Sequence, residues 1–272
     1  MLNKVPEVTL YFWIIKILCT TVGETASDYL NTTLGWGLTS TTYVTAAILT
    51  AVLVWQFRAR KYIPGVYWAA VVLISVVGTQ ITDNLVDNQG VALLTTVIIF
   101  SVGLAATFAA WYASERTLSI HSIVTTRREA FYWLTILFTF ALGTASGDYL
   151  AETLALGFGT SALIFGAAIA VITFAHFRLK LDTILAFWLA YILTRPLGAS
   201  VGDYLSQPTA DGGLGWSTTV TSMVFLATIL AVVIFLTITR RDVISPGADD
   251  GDGGQRAHSR PLTRGEVVSE PD

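Results

Sequence analysis

Eight apolar blocks, each about as long as a bilayer is thick, follow one another along the chain with only short polar stretches between them. A helix needs about 20 mostly apolar residues to cross the hydrocarbon core, and such a block satisfies its backbone polar groups there by forming a helix. The blocks span residues 8–30, 40–57, 66–85, 91–112, 130–150, 160–177, 183–205 and 216–239. Charged residues make up 13% of the chain, against about a quarter in soluble proteins. The sequence therefore predicts an all-α integral membrane protein with eight transmembrane helices.

The positive charges lie on one side of this predicted membrane. Lys16 and Arg195 are the only basic residues inside a block. Every other Lys or Arg precedes the first block, follows an even-numbered block or lies near the C-terminus, and the linkers after the first, third, fifth and seventh blocks carry none. The positive-inside rule therefore predicts that both termini are cytoplasmic.

The odd-numbered blocks repeat one another without gaps, each with the pattern Trp-x9-Gly-x4-Asp. The four copies are Trp13, Gly23 and Asp28; Trp68, Gly78 and Asp83; Trp133, Gly143 and Asp148; and Trp188, Gly198 and Asp203. Because each copy contains two blocks, all four enter the membrane in the same direction, as parallel repeats about an axis along the membrane normal. This predicts a pseudo-fourfold or pseudo-twofold bundle of four two-helix repeats, in which the odd-numbered helices can face one another.

The repeats divide the chain into parts. The aspartates are 55, 65 and 55 residues apart, so the first half repeats onto the second with a shift of 120. We expect a first four-helix half at residues 1–115, a cytoplasmic linker at 116–129 and a second half at 130–242. Residues 243–272 are rich in Gly, Asp, Arg, Ser and Pro, a composition that cannot bury enough apolar surface to fold. They are predicted to form a disordered cytoplasmic tail.

The repeated tryptophans and glycines have ordinary structural interpretations. Each Trp begins an odd-numbered block at the predicted inner interface, where aromatic belts are common. Each Gly is expected to let two helices approach closely, with a backbone bend or the approach of a ligand as the alternative.

The repeated aspartates invite a functional interpretation. Each lies about 22 Å along the helix from its Trp, taking a rise of 1.5 Å per residue, and is therefore expected at the outer C-terminal end, where the helix dipole disfavours a carboxylate. A charge at membrane depth costs about 2.5–3.5 kcal/mol and tends to be functional. A ring of such carboxylates is typical of cation-selective pores. Alternatively, each Asp bonds an outer loop and fixes the repeats together.

Further acids lie one helical turn from three of these aspartates. Glu24 precedes Asp28 by four residues, while Asp87 and Glu152 follow the next two aspartates by four; Asp203 has no such neighbour. Acids on one helix face repel each other unless a cation or a proton intervenes. Sites rich in oxygen and lacking Cys and His suit protons or hard cations such as Ca²⁺, Mg²⁺ or Mn²⁺.

The two basic residues inside the blocks need partners. Lys16 lies two turns below Glu24, and Arg195 two turns below Asp203. Buried charges in membrane proteins pair with one another, so we expect both bases to pair with these acids. A structural network and a charge that gates or releases an ion both remain open.

A resemblance accompanies these motifs. The segment from Lys4 to Thr9, the Phe12–Trp13 pair and the Gly23–Asp28 string, with the repeated Gly-x-x-x-x-Asp-Tyr-Leu strings, resemble a family of uncharacterised bacterial multi-pass "membrane-anchored" proteins. The resemblance implies a bacterial cytoplasmic (inner) membrane location. It brings no activity and no assigned site.

The leading hypothesis is a transporter or channel for a small cation, either a divalent metal or a proton-coupled ion. The candidate ion-binding residues are Asp28, Asp83, Asp148, Asp203 and Glu24, and the charge partners are Lys16 and Arg195. The alternative is a non-transporting scaffold or lipid-binding protein in which the carboxylates are structural. The chain shows no nucleophile–base pair, His-rich motif or phosphate loop, so we expect neither an enzyme nor a cofactor. The expected partners are membrane lipid and a cation, not nucleic acid, and the ion and the oligomeric state stay open.

Overall fold

The computed structural model describes residues 3–243, which form a helical bundle without β-strands. The helices within this range are α1 Leu10–Asp28, α2 Leu38–Arg58, α3 Pro64–Asp83, α4 Leu93–Glu115, α5 Thr126–Asp148, α6 Phe158–Leu179, α7 Thr183–Ser206 and α8 Thr218–Thr239. Each coincides with one predicted block. Helix α5 starts inside the predicted linker because the Thr125 side chain accepts a hydrogen bond from the backbone N–H of Arg128 at 3.3 Å, which caps the helix there. The predicted disordered tail lies, apart from Val243, outside the described residues.

Seven of the described helices, α2 to α8, are long and apolar enough to cross a membrane. The sequence predicts eight, and α1 is the exception. It carries Lys16, Glu24 and Asp28 along its length, which lower its hydropathy. Lys16 and Glu24 are nevertheless buried by the neighbouring helices, because α1 packs against α3, α7 and α8.

The odd-numbered helices form an inner ring and the even-numbered helices an outer one. Around the ring, α1 packs on α3, α3 on α5, α5 on α7, and α7 back on α1. The most apolar window of α3 is 72% buried, whereas that of α6 is only 11% buried. The outer helices therefore present apolar side chains to their surroundings, as membrane helices do, and the inner ring surrounds a central axis.

Each outer helix packs on the inner helix of the next repeat. Helix α2 lies against α3, α4 against α5, α6 against α7, and α8 closes the ring against α1, while contacts within each sequence hairpin are few. The two-helix unit predicted from the sequence is thus a unit of repetition but not a unit of packing. Because the outer helix of each repeat packs on the inner helix of the next, the four repeats stabilise one another as a closed ring.

The four repeated glycines lie where neighbouring inner helices cross. A Cβ atom added to Gly78 would lie 2.7 Å from Phe140 Cβ, and the other three glycines would meet their neighbours more closely still. The pairs around the ring are Gly23 with Ser75, Gly78 with Phe140, Gly143 with Arg195, and Gly198 with Thr20. In every pair the residue met lies three positions before the glycine of the next repeat. The geometry supports the close-packing interpretation of these glycines.

The repeated tryptophans are not a lipid-facing belt. Trp68, Trp133 and Trp188 are buried between helices, because the odd-numbered helices face the axis rather than lipid. Three of the four aromatic residues that precede a motif Trp are also buried, namely Phe12, Tyr67 and Tyr132, and the hydroxyls of Tyr67 and Tyr132 hydrogen-bond to each other. Aromatic side chains therefore fill the axis at this end of the bundle, and the prediction of an interfacial belt is wrong for these three residues.

The N-terminal segment lies across the same end, which we call the basic end because the Lys- and Arg-bearing linkers are there. Lys4 Nζ donates to Glu129 Oε2 at 2.7 Å and to the Phe57 carbonyl at 2.9 Å. Gln56 donates to the other Glu129 oxygen at 3.2 Å. Nearby, burial raises the pKa of the Tyr62 phenol, which stays protonated and donates to Asp242 at 2.5 Å. Both ends of the described chain thus meet at the basic end.

We expect Glu129→Ala to lower the free energy of unfolding by about 3 kcal/mol, because removing one partner of a buried ion pair leaves the other charge uncompensated. The uncompensated charge is Lys4, whose side chain is 4% exposed. Denaturation in detergent, followed by circular dichroism, measures the loss. Glu115→Ala is the control, because its partners Arg127 and Arg128 are 66% and 23% exposed, and ion pairs open to solvent contribute less than buried ones. Equal losses in the two variants would contradict the expectation.

Candidate functional site: a carboxylate-lined cavity

Three of the four repeated aspartates lie at the point where an α-helix changes into a π-helix. Directly after Asp28, Asp83 and Asp148, the α-helix widens into five residues of π-helix. The π segments are Tyr29–Thr33, Asn84–Asn88 and Tyr149–Thr153. Such turns are rare and are frequent at functional sites. These three aspartates therefore lie within a continuing helix, not at its C-terminal end as the sequence suggested, whereas α7 continues as a regular helix to Ser206.

All four repeated aspartates line one cavity of about 220 Å³ at the end of the bundle opposite the basic end. Glu24 lines it too, so the structure brings together every residue that the sequence nominated for ion binding. The lining contains seven carboxylates and neither Lys nor Arg. Carboxylates gathered in one space repel one another unless protons or cations neutralise some of them.

The cavity is built in layers that follow the repeat. Its mouth is formed by the residue four positions after each aspartate: Thr32, Asp87, Glu152 and Gln207. Gln207 occupies the position where an acid would complete the pattern for Asp203, and no sequence motif singled it out. Below the mouth lie the aspartates, of which Asp203 is 7% exposed, and Glu24 lies deepest and is 6% exposed.

Among the described residues, none donates a hydrogen bond to the side chain of a repeated aspartate, and none forms an ion pair with one. In the second repeat it is Asn84, next to the aspartate, that donates to Thr42 of the outer helix α2 at 2.8 Å. The contacts expected if the aspartates locked the repeats together are therefore not formed by their carboxylates. Their oxygens face the cavity and are available to solvent or to a ligand.

The cavity is not a preformed metal cage. In residues 3–243, no group of three or more His, Cys, Asp and Glu side chains is gathered closely enough to hold a metal ion. The carboxylates share a space without converging on one point. This arrangement suits protons, or a cation that keeps part of its hydration shell, better than a tightly held metal ion.

Arg195 lies behind the cavity lining, where it binds Glu24. Its Nη2 lies 2.9 Å from Glu24 Oε2 and 2.7 Å from Thr144 Oγ1, and it also contacts Thr79 Oγ1. Its Nη1 donates to the Thr20 carbonyl at 3.2 Å. One fully buried side chain of the fourth repeat thus contacts each of the other three repeats.

The sequence reasoning did not single out Thr79 and Thr144, the two threonines that contact Arg195. Their positions in the repeat nevertheless contained a signal. Glu24, Thr79 and Thr144 all directly follow the motif glycine, and the fourth repeat has Ala199 there. The pattern places them in one layer around the axis. The contact between Arg195 and this layer depends on how the helices pack. It cannot be deduced from the spacing of residues in the sequence alone.

Lys16 does not form the ion pair expected of it. Its side chain is fully buried, and its Nζ lies 4.0 Å from the centre of the Phe140 ring and 4.2 Å from that of Tyr191. The Arg195 guanidinium lies 5.7 Å from the same Phe140 ring. Within the described residues, contact with aromatic rings thus takes the place of a carboxylate for Lys16, while Glu24 pairs with Arg195.

A second, larger groove of about 690 Å³ lies at the basic end between α1, α6 and α7. Its walls are mainly apolar and include Trp13, Ile172 and Phe177. It contains none of the repeated aspartates. The groove and the carboxylate cavity are therefore separate features at opposite ends of the bundle.

The fold and the cavity define a class: an apolar helical protein, compatible with a multi-pass membrane protein, that is built from repeats around a cavity lined by carboxylates. The chain belongs to the family described as Repeat of Unknown Function (DUF347), which matches it at residues 11–62, 66–117, 131–182 and 186–242. Each match covers one inner and one outer helix, so the four predicted repeats are confirmed. No curated protein and no solved structure matches the chain significantly.

Proposed function

We propose that this protein is a multi-pass transporter of the bacterial cytoplasmic membrane that moves a small cation through the carboxylate-lined cavity. The observation that carries this proposal is the convergence of Asp28, Asp83, Asp148 and Asp203, one from each repeat, on a single cavity. Carboxylates held at membrane depth are costly and mark ion pathways. With both termini cytoplasmic, as the charge distribution predicts, the cavity opens to the outside.

The closed basic end favours a transporter over an open channel. Behind the cavity lining, Arg195 binds Glu24, and towards the basic end lie the buried aromatic side chains and the N-terminal segment held by Lys4 and Glu129. Access from one side with closure at the other is the arrangement of an alternating-access transporter. In this interpretation the structure represents the outward-open state.

Flux through reconstituted liposomes tests the proposal. Replacing all four aspartates by asparagine should reduce cation uptake by more than about tenfold, because each lost charge contributes about 1 kcal/mol or more to attracting a cation at 4 Å, even at the dielectric constant of water. Na⁺, K⁺, Mg²⁺, Mn²⁺ and a proton gradient are compared. Asp211→Asn is the matched control, since Asp211 is exposed at the same end but does not line the cavity. Unchanged flux in a folded quadruple variant would refute the proposal.

Cation binding should also raise the thermal stability of the wild-type protein. A ligand at about 100 times its dissociation constant stabilises the folded state by about 2.7 kcal/mol, which corresponds to a rise in Tm of several degrees. A melting screen in detergent against the same cations measures this effect at constant ionic strength. The quadruple variant should lose the response, whereas a response that persists in it would place binding elsewhere.

The apolar groove favours a second candidate function, the binding of a lipid chain. Its size and the side chains of Trp13, Ile172 and Phe177 suit an acyl chain. Copurified lipid, analysed by mass spectrometry in the wild type and in an Ile172→Glu variant, tests this candidate. Equal lipid content in both would oppose it.

A further inference from the structure

Arg195 breaks the repeat at a position where the other copies carry no charge. Three residues before the motif glycine, the first three repeats have Thr20, Ser75 and Phe140. All four residues lie against the glycine of the preceding repeat. Packing at this position therefore accepts small or aromatic side chains, and it does not require a guanidinium.

The surroundings of the guanidinium are a shell of oxygen acceptors. The carboxylate of Glu24, the hydroxyls of Thr79 and Thr144, and the backbone carbonyl of Thr20 point to one place on the axis. Glu24 is 6% exposed and the threonines are buried. Such a set of oxygens is suited to binding a cation. The cation bound here is the guanidinium of Arg195.

This shell continues directly from the cavity. Glu24 lines the cavity while its Oε2 accepts from Arg195 at 2.9 Å. No residue between 3 and 243 forms a hydrogen bond with the buried Nε of Arg195, so the described shell satisfies only one edge of the guanidinium. In the same part of the chain, Lys16 Nζ also has no hydrogen-bond partner and lies over the rings of Phe140 and Tyr191.

We propose that the Glu24–Thr79–Thr144 shell is a second, inner cation site, of which Arg195 is the tethered occupant. The site accepts monovalent cations of the guanidinium or ammonium class, and the side chain of Arg195 must leave before a cargo cation passes inward. The position of the site on a transport path rests on the proposed function. The capacity of the site to bind a free cation is independent of that function.

Removal of the tethered cation tests the proposal. Arg195→Ala leaves the oxygen shell without its occupant, and free guanidinium at millimolar concentration should fill it and raise the Tm of the purified variant by about 5 °C. NaCl at the same ionic strength should not do so. Wild type and Arg195→Lys, whose sites stay occupied, should show no rise, and Arg195→Ala combined with Glu24→Gln should lose it.

If Arg195→Ala is unstable during purification, the readout is its monodisperse recovery after extraction with guanidinium chloride or with NaCl. Recovery that depends on guanidinium supports the site. The absence of any guanidinium-dependent gain in Tm or recovery, or an equal gain in the double variant, overturns it. Because neither readout requires transport, failure here is distinct from failure of the flux experiment.

Discussion

Replacing Gly78 by alanine is expected to lower the free energy of unfolding by about 3 kcal/mol, the upper range for forcing one extra methyl group into a packed core. The added Cβ would lie 2.7 Å from Phe140 Cβ and 3.2 Å from the backbone nitrogen of Ala141. Neither atom is the mobile end of a side chain, so the whole of α5 must move away from α3. Since the inner helices form a closed ring, this displacement also strains the neighbouring crossings.

Gly166→Ala on the outer helix α6 is the matched control. Its new Cβ would approach no described atom more closely than Leu197 Cδ1, at 3.9 Å. Alanine in a helix interior is favoured over glycine by about 1 kcal/mol, so this variant should be as stable as wild type or more so. Thermal melting of both variants in the same detergent measures the difference. A Gly78→Ala protein as stable as Gly166→Ala would show that the repeated glycine is not needed for the crossing.

The second large effect concerns the buried ion pair below the cavity. Glu24→Ala should cost about 3–5 kcal/mol of folding stability, because it leaves the Arg195 guanidinium buried without a counter-charge. The pair is well shielded, with side-chain exposures of 0% for Arg195 and 8% for Glu24. The two threonine hydroxyls that remain around the guanidinium cannot neutralise it.

Two further variants test whether the loss of stability comes from the unpaired charge of Arg195. Glu152→Ala removes a carboxylate from the exposed mouth of the same cavity and should change stability little. Replacing both members of the pair by methionine removes both charges together, and such replacements of buried ion pairs are often neutral. The double variant should therefore be more stable than Glu24→Ala, and the coupling energy follows from the double-mutant cycle that the single variants Glu24→Met and Arg195→Met complete. A double variant less stable than Glu24→Ala would show that the pair is not the source of the loss.

The helices and the repeat could be predicted from the sequence because both are one-dimensional properties. Apolar blocks of membrane length specify helices wherever lipid forbids unpaired backbone groups, and the gapless register identifies the aspartates as equivalent residues. Equivalence around an axis made a shared site plausible. It did not distinguish a common cavity from separate loops, since that choice depends on which face of each helix turns toward the axis.

Contacts between distant segments were decided only by the tertiary structure. Trp68, Trp133 and Trp188 are buried between helices, where the sequence predicted an interfacial aromatic belt. Lys16 lies over aromatic rings, and Glu24 pairs with Arg195 instead. The sequence by itself determined the helices, their four-part repetition and the residues that are equivalent. The tertiary structure decided which of these residues meet, because side-chain partners in a helical bundle follow from how whole helices cross, and each crossing depends on every other in a closed ring.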